Sequence, residues 1–111
     1  MGRFVPAALL PLLFLISGAV AEPRFPLNSR QTILEADRHL VADGWQPSPE
    51  QTPSSEERRL AAVNLRSLSA CSGTGIGFCR FDYQRNTQRL SVVTVPSEPG
   101  QPSVGRVERW W

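Results

Sequence analysis

Apolar residues along the chain fall into several distinct spacings. Positions 4–16 are almost continuously apolar, whereas Ile33, Leu34, Ala36, Leu40 and Val41 recur on one side of a 3.6-residue turn and predict a helix. Asn28 or Ser29 is placed to cap its start, with Gln31 three residues after Asn28 able to return a bond to the cap amide. Gly44 ends this helix, because glycine readily adopts the left-handed conformation that stops a helix, and Trp45 is positioned to cover Leu40 across the stop. A second helix is predicted from Ser54 or Ser55. Ser54 and Glu57 form a capping box, and Glu56 and Glu57 place negative charge in the first turn, where the helix dipole favours it. Its apolar side is Leu60, Ala61, Val63, Leu65 and Leu68, interrupted by Asn64, and it is expected to end near Arg66 or Leu68.

The period then changes to two. Cys79, Phe81 and Tyr83 alternate with Arg80 and Asp82 as in a half-buried strand, and residues 90–95 are β-branched and apolar enough to return as its hairpin partner. The turn between them centres on Arg85, Asn86 and Thr87, and residues 104–111 supply a third strand. The proline-rich polar stretches 46–53 and 96–102 read as loops, and residues 22–27, with Pro23 and Pro26, as an extended lead-in. The order implies an α+β fold: two N-terminal helices packed on a small antiparallel sheet of three strands, or four if the glycine-rich segment 71–79 also pairs.

The first 21 residues have the three-part layout of a secretory signal: Arg3, the apolar run, then the small residues Ser17, Gly18, Ala19, Val20 and Ala21. Ala19 and Ala21 satisfy a small-x-small cleavage site, which would leave Glu22 as the new terminus. The run is shorter than the roughly 20 apolar residues needed to cross a bilayer, and it contains Pro6 and Pro11. No cysteine stands near the boundary to take a lipid. Residues 22–111 are therefore expected to be one monomeric domain, periplasmic or secreted, with no membrane contact after cleavage. The formal net charge is +2, and Arg3 is the one charged residue of the leader, so what remains is close to neutral. Its basic residues are all arginines interspersed with acids. Without a one-signed basic face, the composition argues against nucleic-acid binding.

Export delivers Cys71 and Cys79 to an oxidising compartment, where a disulfide between them is expected. Closing so small a ring is worth about 2.5 kcal/mol by loop entropy. Gly73, Gly75 and Gly77 lie between these cysteines and lead into a strand, which is the wrong context for a dinucleotide loop. They are better read as relieving crowding beneath the disulfide and permitting positive φ. His39 is the one histidine and projects away from the apolar stripe, so neither a zinc set nor another cofactor is expected. Asp37 falls between Ile33, Leu34, Leu40 and Val41, near the buried face, and a carboxylate there needs a partner. Arg80 of the sheet is the expected mate, in a structural ion pair. Trp110 and Trp111 end the chain in tandem, so in a strand one faces the core and the other faces out as a candidate interaction anchor.

The stretch CSGTGIGFCRFDY from Cys71 to Tyr83, with the upstream Asp43, Gly44, Trp45, Gln46 and Pro47, resembles a group of small exported cyanobacterial proteins of uncharacterised activity. The likeness covers most of residues 22–111. It implies an exported domain of this extent and carries no activity or functional residue with it. Two classes of function remain open. One is a non-enzymatic binding or accessory protein of the cell envelope, contacting another envelope or extracellular protein through the sheet face and a terminal tryptophan. The other is a small envelope hydrolase or ligand-binding protein using Asp37, His39 or the loop from Gly73 to Gly77.

Overall fold

Thr32, rather than Asn28 or Ser29, opens the first helix, α1 (Ile33–Ala42). The computed structural model of the chain describes residues 27–72 and 77–111, so the leader, the lead-in up to Pro26 and residues 73–76 lie outside the described residues. The Thr32 hydroxyl accepts the Glu35 amide at 3.2 Å and the Glu35 carboxylate accepts the Thr32 amide at 3.0 Å, a reciprocal capping box. Gln31 does return a bond to the Asn28 amide, at 2.6 Å, but within a turn in which Arg30 has a φ of 73°. The Arg30 amide and the Gln31 carbonyl are spent on the backbone of Val107, at 2.7 and 2.8 Å. A helix begun at Asn28 would forfeit that pairing. Ile33, Ala36 and Leu40 are buried, whereas Leu34 and Val41, expected on the same stripe, are 39% and 50% exposed. The stop is as the sequence implies: Gly44 has a φ of 90° and the buried Trp45 donates its amide to the Leu40 carbonyl at 2.9 Å.

Residues 46 and 47, expected in a loop, instead form a short edge strand, β1 (Gln46–Pro47), paired with Gln84 and Tyr83. An edge tolerates Pro47, which has no N–H to contribute to a ladder. The second helix, α2 (Ser55–Ala61), begins with the expected box. Ser54 accepts the Glu57 amide at 3.1 Å and Glu57 accepts the Ser54 amide at 2.7 Å. It ends earlier than expected because Ala62 turns left-handed, with a φ of 56°, and the tail of its apolar run serves another element. Leu68 opens β2 (Leu68–Cys71), which pairs antiparallel with β3 (Cys79–Arg85). A two-residue turn, with Asn86 at a φ of 55°, leads into β4 (Gln88–Pro96), and β5 (Gly105–Trp110) closes the order.

Among the described residues the antiparallel sheet thus has five strands rather than three or four. β1 and β2 share one edge of β3, followed across the sheet by β4 and β5. Cys79, Phe81 and Tyr83 of β3, Leu90 and Val92 of β4 and Val107 of β5 join Ile33, Ala36 and Leu40 of α1, Ala61 of α2 and Trp45 in one buried cluster. The opposite face carries Arg80, Asp82 and Gln84, and in register with them Val93, Ser91 and Arg89. The β4–β5 contact is tight at its start. A Cβ at Gly105 would lie 2.5 Å from the Thr94 hydroxyl oxygen and 2.6 Å from its Cβ, and Thr94 is itself buried. Gly105→Ala is therefore expected to destabilise the domain by about 1–3 kcal/mol, the usual cost of overpacking a closed site. Chemical denaturation measures this, and an unchanged midpoint would show that the strands can part at no cost.

Candidate functional site

Cys71 and Cys79 are directly opposed in the β2–β3 ladder, with Cα atoms 4.0 Å apart, and their sulfurs are bonded. The ladder continues one step beyond them, where the Ser72 amide donates to the Phe78 carbonyl at 2.6 Å, and Gly77 takes a φ of 82°. Because β2 is an edge strand, the Cys71 amide needs an acceptor outside the sheet. It finds the Glu57 carboxylate at 2.9 Å, the same group that caps α2. The two amides, of Ser54 and Cys71, hold the Glu57 carboxyl below its ordinary range. One side chain therefore fixes the helix start and seals the edge strand beside the disulfide.

On the outer face, Asp82 is 1% exposed. Its carboxylate accepts from the hydroxyls of Ser69 on β2 and Ser91 on β4, the latter at 2.5 Å, and from Arg80 Nε at 3.0 Å. Arg80 also reaches Glu50 at 3.0 Å, and Arg89 approaches the same Glu50 carboxylate at 3.9 Å. Asp37 therefore does not pair with Arg80. Strand alternation puts Arg80 on the face turned away from α1, with Asp82 two residues on as its neighbour. Asp37 is half-buried, and it accepts from the Tyr83 hydroxyl at 2.8 Å, while Ser67 donates to the same phenol oxygen at 3.0 Å. Burial, reinforced by the Asp37 carboxylate, pushes the Tyr83 phenol above its ordinary pKa of 10.0.

The tandem tryptophans separate as the strand period requires. Trp110 stands opposite Val92 and packs on the core cluster, whereas Trp111 exchanges backbone bonds with Ser91 at 2.9 and 3.1 Å and is 60% exposed on the outer face. The Arg109 guanidinium lies over the Trp111 ring, 5.4 Å from its centroid. With Phe78, which is 40% exposed, they line a groove of ≈380 Å³ whose other walls include Val93, Arg80 and the disulfide. A second, more polar groove of ≈430 Å³ lies at the far end of the sheet beside Gly44, Pro47 and Gln84. There Arg85 stacks on Trp45 at 4.6 Å and is neutralised by Asp43 at 2.7 Å.

Asp37 and His39 do not converge: the first is held by Tyr83, and the second is exposed in the last turn of α1. Neither borders the two grooves. The sequence pointed to Trp111 through its tandem position but not to Phe78 or Arg109, since no motif marks a residue that borders a groove only through strand register. Among the described residues no group of three His, Cys, Asp or Glu side chains is placed to hold a metal, and no helix is long and apolar enough to cross a membrane. No protein-family model, curated protein or solved structure matches the chain.

Replacing Cys71 and Cys79 together by alanine is expected to lower unfolding stability by about 2.5 kcal/mol through loop entropy. Denaturant midpoints of the two forms measure it, and equal midpoints would show that the β2–β3 ladder holds without the bond. Tyr83 makes a separate, pH-dependent contribution. A phenol whose folded pKa is raised binds a proton that the unfolded chain has released above pH 10.0, so stability is full below that value and falls as pH rises further. Tyr83→Phe should abolish this alkaline slope, read as unfolding free energy against pH. Because Tyr83 is the one tyrosine of the chain, tyrosinate absorbance reports its titration directly, and a phenol that ionises freely in the folded protein would overturn the assignment.

Proposed function

We propose that the chain is exported, loses residues 1–21, and acts outside the cytoplasm as a non-enzymatic binding or accessory domain of the cell envelope. The disulfide is compatible with an oxidising compartment, and the leader pattern supplies the route to one. The observation that carries the binding role is the Trp111 ring, left 60% exposed on a rigid sheet and facing a groove that also holds a 40% exposed Phe78. Burying a large aromatic side chain is among the strongest local contributions to an interface, and a sheet presents it with little ordering cost. The partner in this reading is another envelope or extracellular protein.

Two measurements test the reading. Intact mass of the protein recovered from an envelope fraction should correspond to a chain starting at Glu22 with both cysteines oxidised. Recovery from the cytosol of a chain still beginning at Met1, with free thiols, would overturn export. A photo-crosslinking residue in place of Trp111 should trap a protein partner that the same residue in place of Leu34 does not. Identical adducts from the two positions would remove the outer face as the contact surface.

A further inference from the structure

The groove beside Trp111 has a charge asymmetry that narrows what it can receive. Arg80 is satisfied by Asp82 and Glu50, Arg89 approaches Glu50, and Arg85 is held by Asp43. Arg109 borders the same groove and, among the described residues, has no carboxylate partner; its contact is with the Trp111 ring. A guanidinium lying over an indole is pre-oriented and leaves its N–H groups free for a second partner. A carboxylate matches that planar fork with two parallel hydrogen bonds. Next to it the groove is apolar, with Val93 6% exposed and Phe78 on another wall. A phosphate backbone would require several unpaired cations in a row, and Arg109 is one.

We propose that this groove binds a peptide segment of a protein partner in which a carboxylate adjoins an aromatic side chain. The carboxylate takes the free edge of Arg109, and the aromatic ring lies over Val93 between Phe78 and Trp111. This assignment rests on the outer-face reading given above and specifies the chemistry of its partner. The volume of ≈380 Å³ suits one or two side chains rather than a folded element. An isolated probe of that size binds with a dissociation constant on the order of millimolar, the range expected for a ligand of some fifteen heavy atoms.

The test uses the oxidised domain 22–111 labelled for amide and side-chain N–H spectra. It is titrated with N-acetylphenylalanine and, separately, with N-acetylphenylalaninamide, which keeps the ring and lacks the charge. The acid should shift the Trp111 indole, Phe78 amide and Arg109 Nε signals in a saturable way, with the amide at least about fivefold weaker, which corresponds to about 1 kcal/mol for the charge-assisted bond. Arg109→Gln should erase the preference between the probes, and Trp111→Ala should abolish both titrations. Both side chains are exposed, and spectra of the unliganded variants establish that the fold is kept.

Equal binding of acid and amide in the groove would overturn the carboxylate assignment while leaving the contact surface standing. Shifts confined to residues outside the groove, or none, would overturn the groove as the site for this chemistry. Photo-adducts at position 111 then report separately on whether the outer face is a contact surface at all.

Discussion

A carboxylate taken out of water costs several kcal/mol unless every oxygen finds a donor, and Asp82 imposes that demand at the centre of the outer face. It is met by three elements at once: Ser69 from β2, Ser91 from β4, and Arg80 from the same strand. Arg80 then engages Glu50, whose amide donates to Ser69 at 2.9 Å, so the stretch after β1 is folded over this face. One buried charge thereby ties together two neighbouring strands and the proline-rich connection. On the other face the work is apolar, with Phe81 and Tyr83 in one buried cluster with Ile33, Ala36 and Leu40 of α1, and a polar bond from Tyr83 to Asp37 joins helix to sheet.

This division of labour accounts for where the surface is left open. Around Asp82 the charges of the outer face are paired with one another, whereas toward the C-terminal end of β5 it presents Phe78, Arg109 and Trp111 beside the buried Val93. The disulfide and the Glu57 carboxylate brace the wall of that region from two directions, one through the ladder and one from α2. On the proposed reading, occupying this groove would cost little conformational entropy, because its floor is formed by paired strands.

Most local chemistry was legible where a residue acts on its own neighbours, the Thr32–Glu35 capping box being the exception. The Ser54–Glu57 box, the Gly44 stop with Trp45 behind it, the turn at Asn86 and the period of two through Cys79, Phe81 and Tyr83 are each written in a few adjacent positions. Their structural outcomes follow from short-range geometry. Misreadings arose where a distant strand competed for the same backbone. Gln31 gave its carbonyl to Val107, Leu68 left the helical run to pair with Phe81, and Gln46 and Pro47 joined the free edge of β3. The Asp37 expectation was half met. The helical wheel placed its carboxylate at the buried face, but the partner was Tyr83, because Arg80 points to the opposite side of the sheet.

What the sequence by itself determined was the α+β class, the β3–β4 hairpin and the split orientation of the terminal tryptophans, since each follows from a local periodicity and the turn beside it, together with the cysteine pair, which follows from two thiols eight residues apart behind a secretory-signal pattern. What only the tertiary structure decided was which strands share an edge, which acid each arginine meets and which exposed side chains border a common groove. Those depend on strand register and sheet order, and a chain's local pattern is the same for many registers until the buried polar groups select one.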